Sequence, residues 1–198
     1  MYPRLVIDLK KVKNNLDRIT EMVKGTGCSL MIVTKGYSAD MEIFRLLDES
    51  DIDYLADSRI QNLKKYEGSK KERVLLRLPM NSETDEVVKY SEISLNSELK
   101  TIKNLNESAG KQGKVHKIIL MIDLGDLREG IFFKNEDEIF NAVEEILRLK
   151  NIQLFGIGVN LTCYGAVIPQ KDNLSVLVEI ARKIEKKFDI KLQMISGG

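Results

Sequence analysis

Short runs of apolar and β-branched residues recur along the chain, each followed by a longer segment in which apolar positions return every three or four residues. Seven such runs can be counted, at 30–34, 52–56, 74–78, 92–95, 118–123, 154–160 and 192–195. They are nearly all apolar, as strands covered on both faces are, so the pattern predicts a parallel sheet built from βα units rather than hairpins. The intervening helices have recognisable starts. Asp8 stands before Leu9, Val12, Leu16, Ile19 and Val23, and Ser82-Glu83-Thr84-Asp85 has the form of a capping box. Asn135 opens an acidic first turn ahead of Ile139, Val143 and Ile146, and Asp172 does the same for Leu174, Leu177, Val178 and Ala181.

Strands and helices in this order build either an open doubly wound sheet or most of a TIM (β/α)8-type barrel, and periodicity does not separate the two. A doubly wound nucleotide fold carries a glycine-rich turn after its first strand. Here that strand ends in Val33-Thr34-Lys35-Gly36-Tyr37, with one glycine and a lysine. Barrels collect their functional residues where strands end at the C-terminal face. This chain places its unusual polar residues there, which favours the barrel.

Composition narrows the chemistry. At 198 residues the chain is the size of one domain, 1–198, with no low-complexity linker. A formal net charge of +1 gives no whole-chain attraction to nucleic acid or to an anionic membrane surface. One histidine, His116, and two cysteines, Cys28 and Cys163, exclude a Ser-His-Asp hydrolase, an HExxH protease and a Cys/His zinc site, so no metal centre is expected. Two distant cysteines and a charged, short N-terminal segment point to a reducing, cytoplasmic setting, and no apolar run is long enough to span a membrane.

The strand ends offer Lys35; Asp57-Ser58-Arg59; Arg77 near Pro79; Asn96-Ser97; Asp123 with Arg128; Asn160, Cys163 and Tyr164; and Ser196-Gly197-Gly198. A lysine at a buried strand end is costly to keep as an ammonium, which frees its amine as nucleophile or base. In its glycine-punctuated loop, Arg128 could donate to a ring nitrogen or a carboxylate. The closing glycines let backbone N–H groups approach a phosphate. Taken singly, each has a plainer reading: a solvated lysine, a loop ion pair, a tight turn.

The order of the blocks carries more than any one of them. Ile32-Val-Thr-Lys35, Leu55-Ala-Asp-Ser-Arg59-Ile-Gln-Asn62, Leu75-Leu-Arg77-Leu-Pro-Met80, Ser94-Leu-Asn-Ser-Glu98, Ile122-Asp-Leu-Gly-Asp-Leu-Arg128-Glu-Gly-Ile, Gly156-Ile-Gly-Val-Asn160-Leu-Thr-Cys-Tyr-Gly165 and Ile195-Ser-Gly-Gly198 together resemble the alanine racemase-like N-terminal domain of fold-type III pyridoxal-phosphate enzymes. The likeness is greatest to its ornithine racemase branch. It implies pyridoxal 5'-phosphate as cofactor, with Lys35 matching the lysine that carries it and Arg128 the arginine facing its pyridine nitrogen. Ser196, Gly197 and Gly198 match the start of the phosphate loop, and Asn160 is a further cofactor-binding candidate. The implied activity is racemisation of an amino acid, ornithine or another diamino acid, with Lys35 as base on one face. In two-domain racemases of this type a tyrosine from the partner subunit serves the other face, which makes a homodimer the expected assembly. By that comparison an eighth barrel strand and a C-terminal β-rich domain are expected to lie beyond this sequence.

The alternative is a non-catalytic protein of pyridoxal-phosphate homeostasis, sharing the barrel and the lysine. Ser-Gly-Gly in the phosphate loop and Arg77 on the third strand favour the racemase. Histidine is missing from the later strands, which disfavours the related decarboxylase branch. Tyr37 is wrongly spaced for the phosphate-contacting tyrosine of alanine racemases, and Cys163 reads as a small loop residue.

Overall fold

The computed structural model describes residues 3–161 and 167–198. Its strands are β1 (Met31–Val33), β2 (Tyr54–Asp57), β3 (Glu72–Leu75), β4 (Ile93–Asn96), β5 (His116–Asp123), β6 (Ile131–Phe132), β7 (Ile152–Gly158) and β8 (Met194–Ser196). The helices between them are α1 (Leu9–Val23), α2 (Met41–Asp48), α3 (Ile60–Lys65), α4 (Thr84–Tyr90), α5 (Leu99–Lys111), α6 (Glu136–Leu147) and α7 (Lys171–Phe188).

Every pairing is parallel and the order is β1-β2-β3-β4-β5-β7-β8, with β6 attached to β5. Apart from the short β6, each new strand is laid beside the last and the order never reverses, which is the winding of a barrel and not of a doubly wound sheet. The sheet curls without joining its ends, so β1 and β8 remain as its two edges. One apolar cluster marks the inside of the curl: Ala56, Val74, Ile93, Ile119 and Phe155, with Met31 of β1 and Met194 of β8 packed on it. The alternate residues of the same strands, Leu75, Ile118, Leu120 and Leu154, face outward into the larger core under the helices. Period-two alternation therefore persists inside runs that read as uniformly apolar, because helices cover the outer face.

Three starts differ from expectation. The seven runs become eight strands, because β6 follows the Arg128 loop and is only two residues long. No capping box forms at Ser82–Asp85; a 3-10 turn over Asn81–Glu83 precedes α4, and the Glu83 carboxylate accepts from Met80 N at 3.1 Å. Helix α7 begins two residues earlier than its apolar pattern suggests, where Gln170 N donates to Asn173 Oδ1 at 2.9 Å and Asp172 falls in the first turn. Asp8 does cap α1, its carboxylate accepting from Lys10 N and Lys11 N at 2.9 and 3.2 Å. Among the described residues no helix is long and apolar enough to cross a membrane.

Candidate active site

Lys35 leaves the end of β1 as the first residue of a 3-10 turn, Lys35–Tyr37. It is exposed, not buried as the sequence suggested. What lies beneath it is buried and tightly bonded. Thr34 N donates to Ala56 O at 2.8 Å, and Thr34 Oγ1 donates to Asp57 Oδ2 at 2.6 Å. Asp57 Oδ1 accepts from Arg59 N at 2.9 Å and Asn62 Nδ2 at 3.0 Å, so a fully buried carboxylate ties the ends of β1 and β2 to α3. Ser38 and Ala39 then take left-handed φ values of 53° and 55°, a conformation costly for residues with a Cβ, and Lys65 Nζ donates to Ser38 O at 2.9 Å. The Tyr37 hydroxyl is buried without a hydrogen-bond partner among the described residues, and burial first, then the nearby Tyr66, Asp57 and Asp40, push its pKa up. It faces this packed interior.

Arg128 sits in the loop between β5 and β6, which is held from within. Asp123 Oδ1 accepts from Gly125 N and Leu127 N at 2.8 and 3.1 Å. Gly130 has φ +114°, and a Cβ there would lie 2.7 Å from Asp123 N, so the loop's exit requires glycine. Asp126 Oδ1 accepts from Val167 N at 2.9 Å, tying the loop to the segment after β7. Arg128 Nε pairs with Glu129 Oε2 at 2.9 Å, and Glu129 Oε1 accepts from Asn160 Nδ2 at 2.5 Å. Two candidates on different strand ends thus meet through a carboxylate.

Ser196 ends β8 opposite Gly158, and Val159 N donates to Ser196 O at 3.0 Å. A Cβ on Gly158 would come within 3.2 Å of Ser196 Cβ and 3.4 Å of Met121 Sδ, so glycine keeps that corner of the inner face open. Gly198 has φ +108°, and its Cβ position lies 3.5 Å from Val159 O, directly beside the approach to Asn160. Arg128, Asn160 and Ser196–Gly198 therefore occupy neighbouring strand ends, while Lys35 stands at the other edge of the curled sheet. Cys163 and Tyr164 lie outside the described residues.

Other strand-end residues point elsewhere. Arg77 is bonded to the buried Glu83. Asn96 donates back to Ser94 O and Oγ at 2.9 Å, and lines a cavity of about 60 Å³ with Leu78, Pro79, Ser97, Glu98 and Thr101. At the opposite, N-terminal end of the sheet, Arg73 makes a two-pronged pair with Glu92, and Lys117 pairs with Glu72 over the Phe155 ring. No cluster of His, Cys, Asp and Glu suited to a metal ion occurs among the described residues.

The donor set fits a phosphorylated aldehyde: an exposed primary amine, a guanidinium, an amide, a hydroxyl, and a glycine pair beside a corner that a Cβ at Gly158 would fill. Glu129 was missed in the sequence. Its neighbour Arg128 was the available signal, but the contact with Asn160 spans 31 positions and becomes visible only once β5 and β7 pair.

Residues 7–198 match the family model described as alanine racemase, N-terminal domain. The chain is 50% identical over 198 residues to an ornithine racemase of Acetoanaerobium sticklandii, covering all of this chain and 56% of that protein. It is 36% identical over 200 residues to a lysine racemase of Thermotoga maritima, covering all of this chain and 55% of that one. The chain thus spans little more than half the length of these curated relatives. A solved alanine racemase of Clostridium difficile 630 superposes with a TM-score of 0.76 at 20% identity, covering 96% of this chain and 50% of that one, a likeness of fold.

Proposed function

We propose, on the premise that the chain belongs to the alanine racemase N-terminal domain family, that it is the cofactor-holding barrel of a pyridoxal-phosphate-dependent racemase acting on a diamino acid. The observation that carries this reading is the 50% identity to an ornithine racemase along the whole chain. The lysine racemase relationship supports the same substrate class, an amino acid with a second, distal ammonium.

Lys35 would supply the amine for the cofactor's aldehyde. The Ser196 hydroxyl and the backbone N–H groups of Gly197 and Gly198 would receive its phosphate. Arg128 would donate to an acceptor of the cofactor or to the substrate carboxylate, which its planar fork suits, and Asn160 would line the same wall. When bound, pyridoxal phosphate supplies an electron sink that acidifies the C–H bond at the α-carbon. Lys35 Nζ, when unprotonated, can take a proton from that carbon and return it on one face. The buried Thr34–Asp57–Asn62 linkage restricts where that nitrogen can be, because it fixes the turn that carries it. Inversion needs a proton donor on the opposite face, and we assign it to a second subunit, which makes the working unit a homodimer.

The test is chiral chromatography of L-ornithine, L-lysine and L-alanine incubated with the full-length protein and pyridoxal phosphate. D-Ornithine or D-lysine should accumulate, and Lys35→Ala should abolish it. Cofactor binding with all three substrates left unchanged would favour the homeostasis protein and overturn the racemase reading.

A further inference from the structure

Glu129 contributes a carboxylate to a wall otherwise made of donors. Its side chain is only 14% exposed, against 35% for Arg128. Its two oxygens are divided: Oε2 pairs with Arg128 Nε at 2.9 Å, and Oε1 accepts from Asn160 Nδ2 at 2.5 Å. The first partner comes from the loop after β5 and the second from the end of β7. The ion pair draws the guanidinium toward a carboxylate that is itself held by Asn160, which limits how far it can swing about its stem. The loop itself cannot drift, because Asp123 holds Gly125 and Leu127 and only glycine fits at Gly130. Carboxylate and loop together give a fixed base for two side chains.

We infer that Glu129 is a positioning residue, holding the guanidinium of Arg128 and the amide of Asn160 in one arrangement ready for the cofactor; the inference builds on the pyridoxal-phosphate reading above. It touches neither cofactor nor substrate in this role and acts through its two neighbours. Glu129→Gln separates the parts. Its amide oxygen can still accept from Asn160, but the negative charge that draws the Arg128 guanidinium is gone and an NH2 stands in its place, so the brace on Arg128 is lost with little change in size.

The experiment is an absorbance titration of pyridoxal phosphate into the wild-type chain, Glu129→Gln, Arg128→Ala and the double variant, alongside thermal unfolding and the NMR signal of the Arg128 Nε–H. Affinity should fall roughly tenfold in Glu129→Gln, with the unfolding temperature held. In the Arg128→Ala background the same change should cost almost nothing further, since its route has been removed. The Nε–H signal should shift and broaden in Glu129→Gln without any cofactor. Wild-type affinity in Glu129→Gln, or equal losses in both backgrounds, would overturn the inference and leave the cofactor reading standing. Should even the wild-type chain fail to bind, the cofactor reading falls, and an Nε–H signal unmoved by the substitution then refutes the brace by itself. If Glu129→Gln does not fold, Glu129→Asp, which keeps the charge but shortens its reach, carries the same expectations.

Discussion

His116 is 2% exposed and its Nε2 lies 2.9 Å from Ser94 Oγ, far down the strands from the mouth. Burial is the largest influence on it and lowers its pKa from 6.5 to about 4, with Glu92 opposing and Lys114 assisting. In the unfolded chain it would take up a proton near pH 6.5, whereas the folded chain resists until about 4. Between those values the unfolded state binds more protons, so stability declines as the pH drops through that window, by up to about 3 kcal/mol in all. Urea unfolding at stepped pH should record this decline, and His116→Gln should flatten it; an equally steep decline in the variant would place the cause elsewhere. Legibility at this scale followed the chain's own direction. Lys35 and Arg128 could be picked out because a strand end precedes one and a glycine-rich loop surrounds the other. Asp57 and Glu129 could not be given their roles, since what each does depends on partners brought from other strands.

Among the elements, β7 is the most constrained by its neighbours. A Cβ on Gly156 would lie 2.0 Å from the carbonyl oxygen of Met194 on β8, a backbone atom that cannot step aside. Gly156→Ala should therefore pry β8 off the sheet and destabilise the chain by about 3 kcal/mol or more. Gly36→Ala, where nothing among the described residues lies within 4 Å of the added carbon, should leave stability nearly unchanged. Comparable unfolding midpoints for the two would contradict the packing at the β7–β8 pair. The seven longer strands were visible in the sequence as apolar runs, offset by up to three residues, because burial on both faces marks their middles and not their ends. β6 escaped notice: two residues in register with Ile122 and Asp123 carry no period of their own. Helix starts were readable where a side chain caps the backbone, as at Asp8, and misplaced where the cap is built from a more distant residue, as at Glu83.

At the scale of the whole molecule, sequential parallel winding is what turns scattered strand-end residues into one rim. The sequence supplied the alternation of strand and helix and, through the motifs, the preference for a barrel; the strand order that settles it is a property of tertiary pairing. The same winding leaves Lys35 on one edge of the sheet and Ser196–Gly198 on the other, so the account depends on a single ligand engaging both. The most direct measurement is to incubate the wild-type chain and Lys35→Ala with pyridoxal phosphate, reduce with borohydride, digest, and locate the pyridoxyl group by mass spectrometry. The account predicts that the label concentrates on the peptide carrying Lys35 and that Lys35→Ala stays unlabelled at low cofactor concentration. Label spread evenly over the surface lysines, or undiminished in the variant, would contradict it.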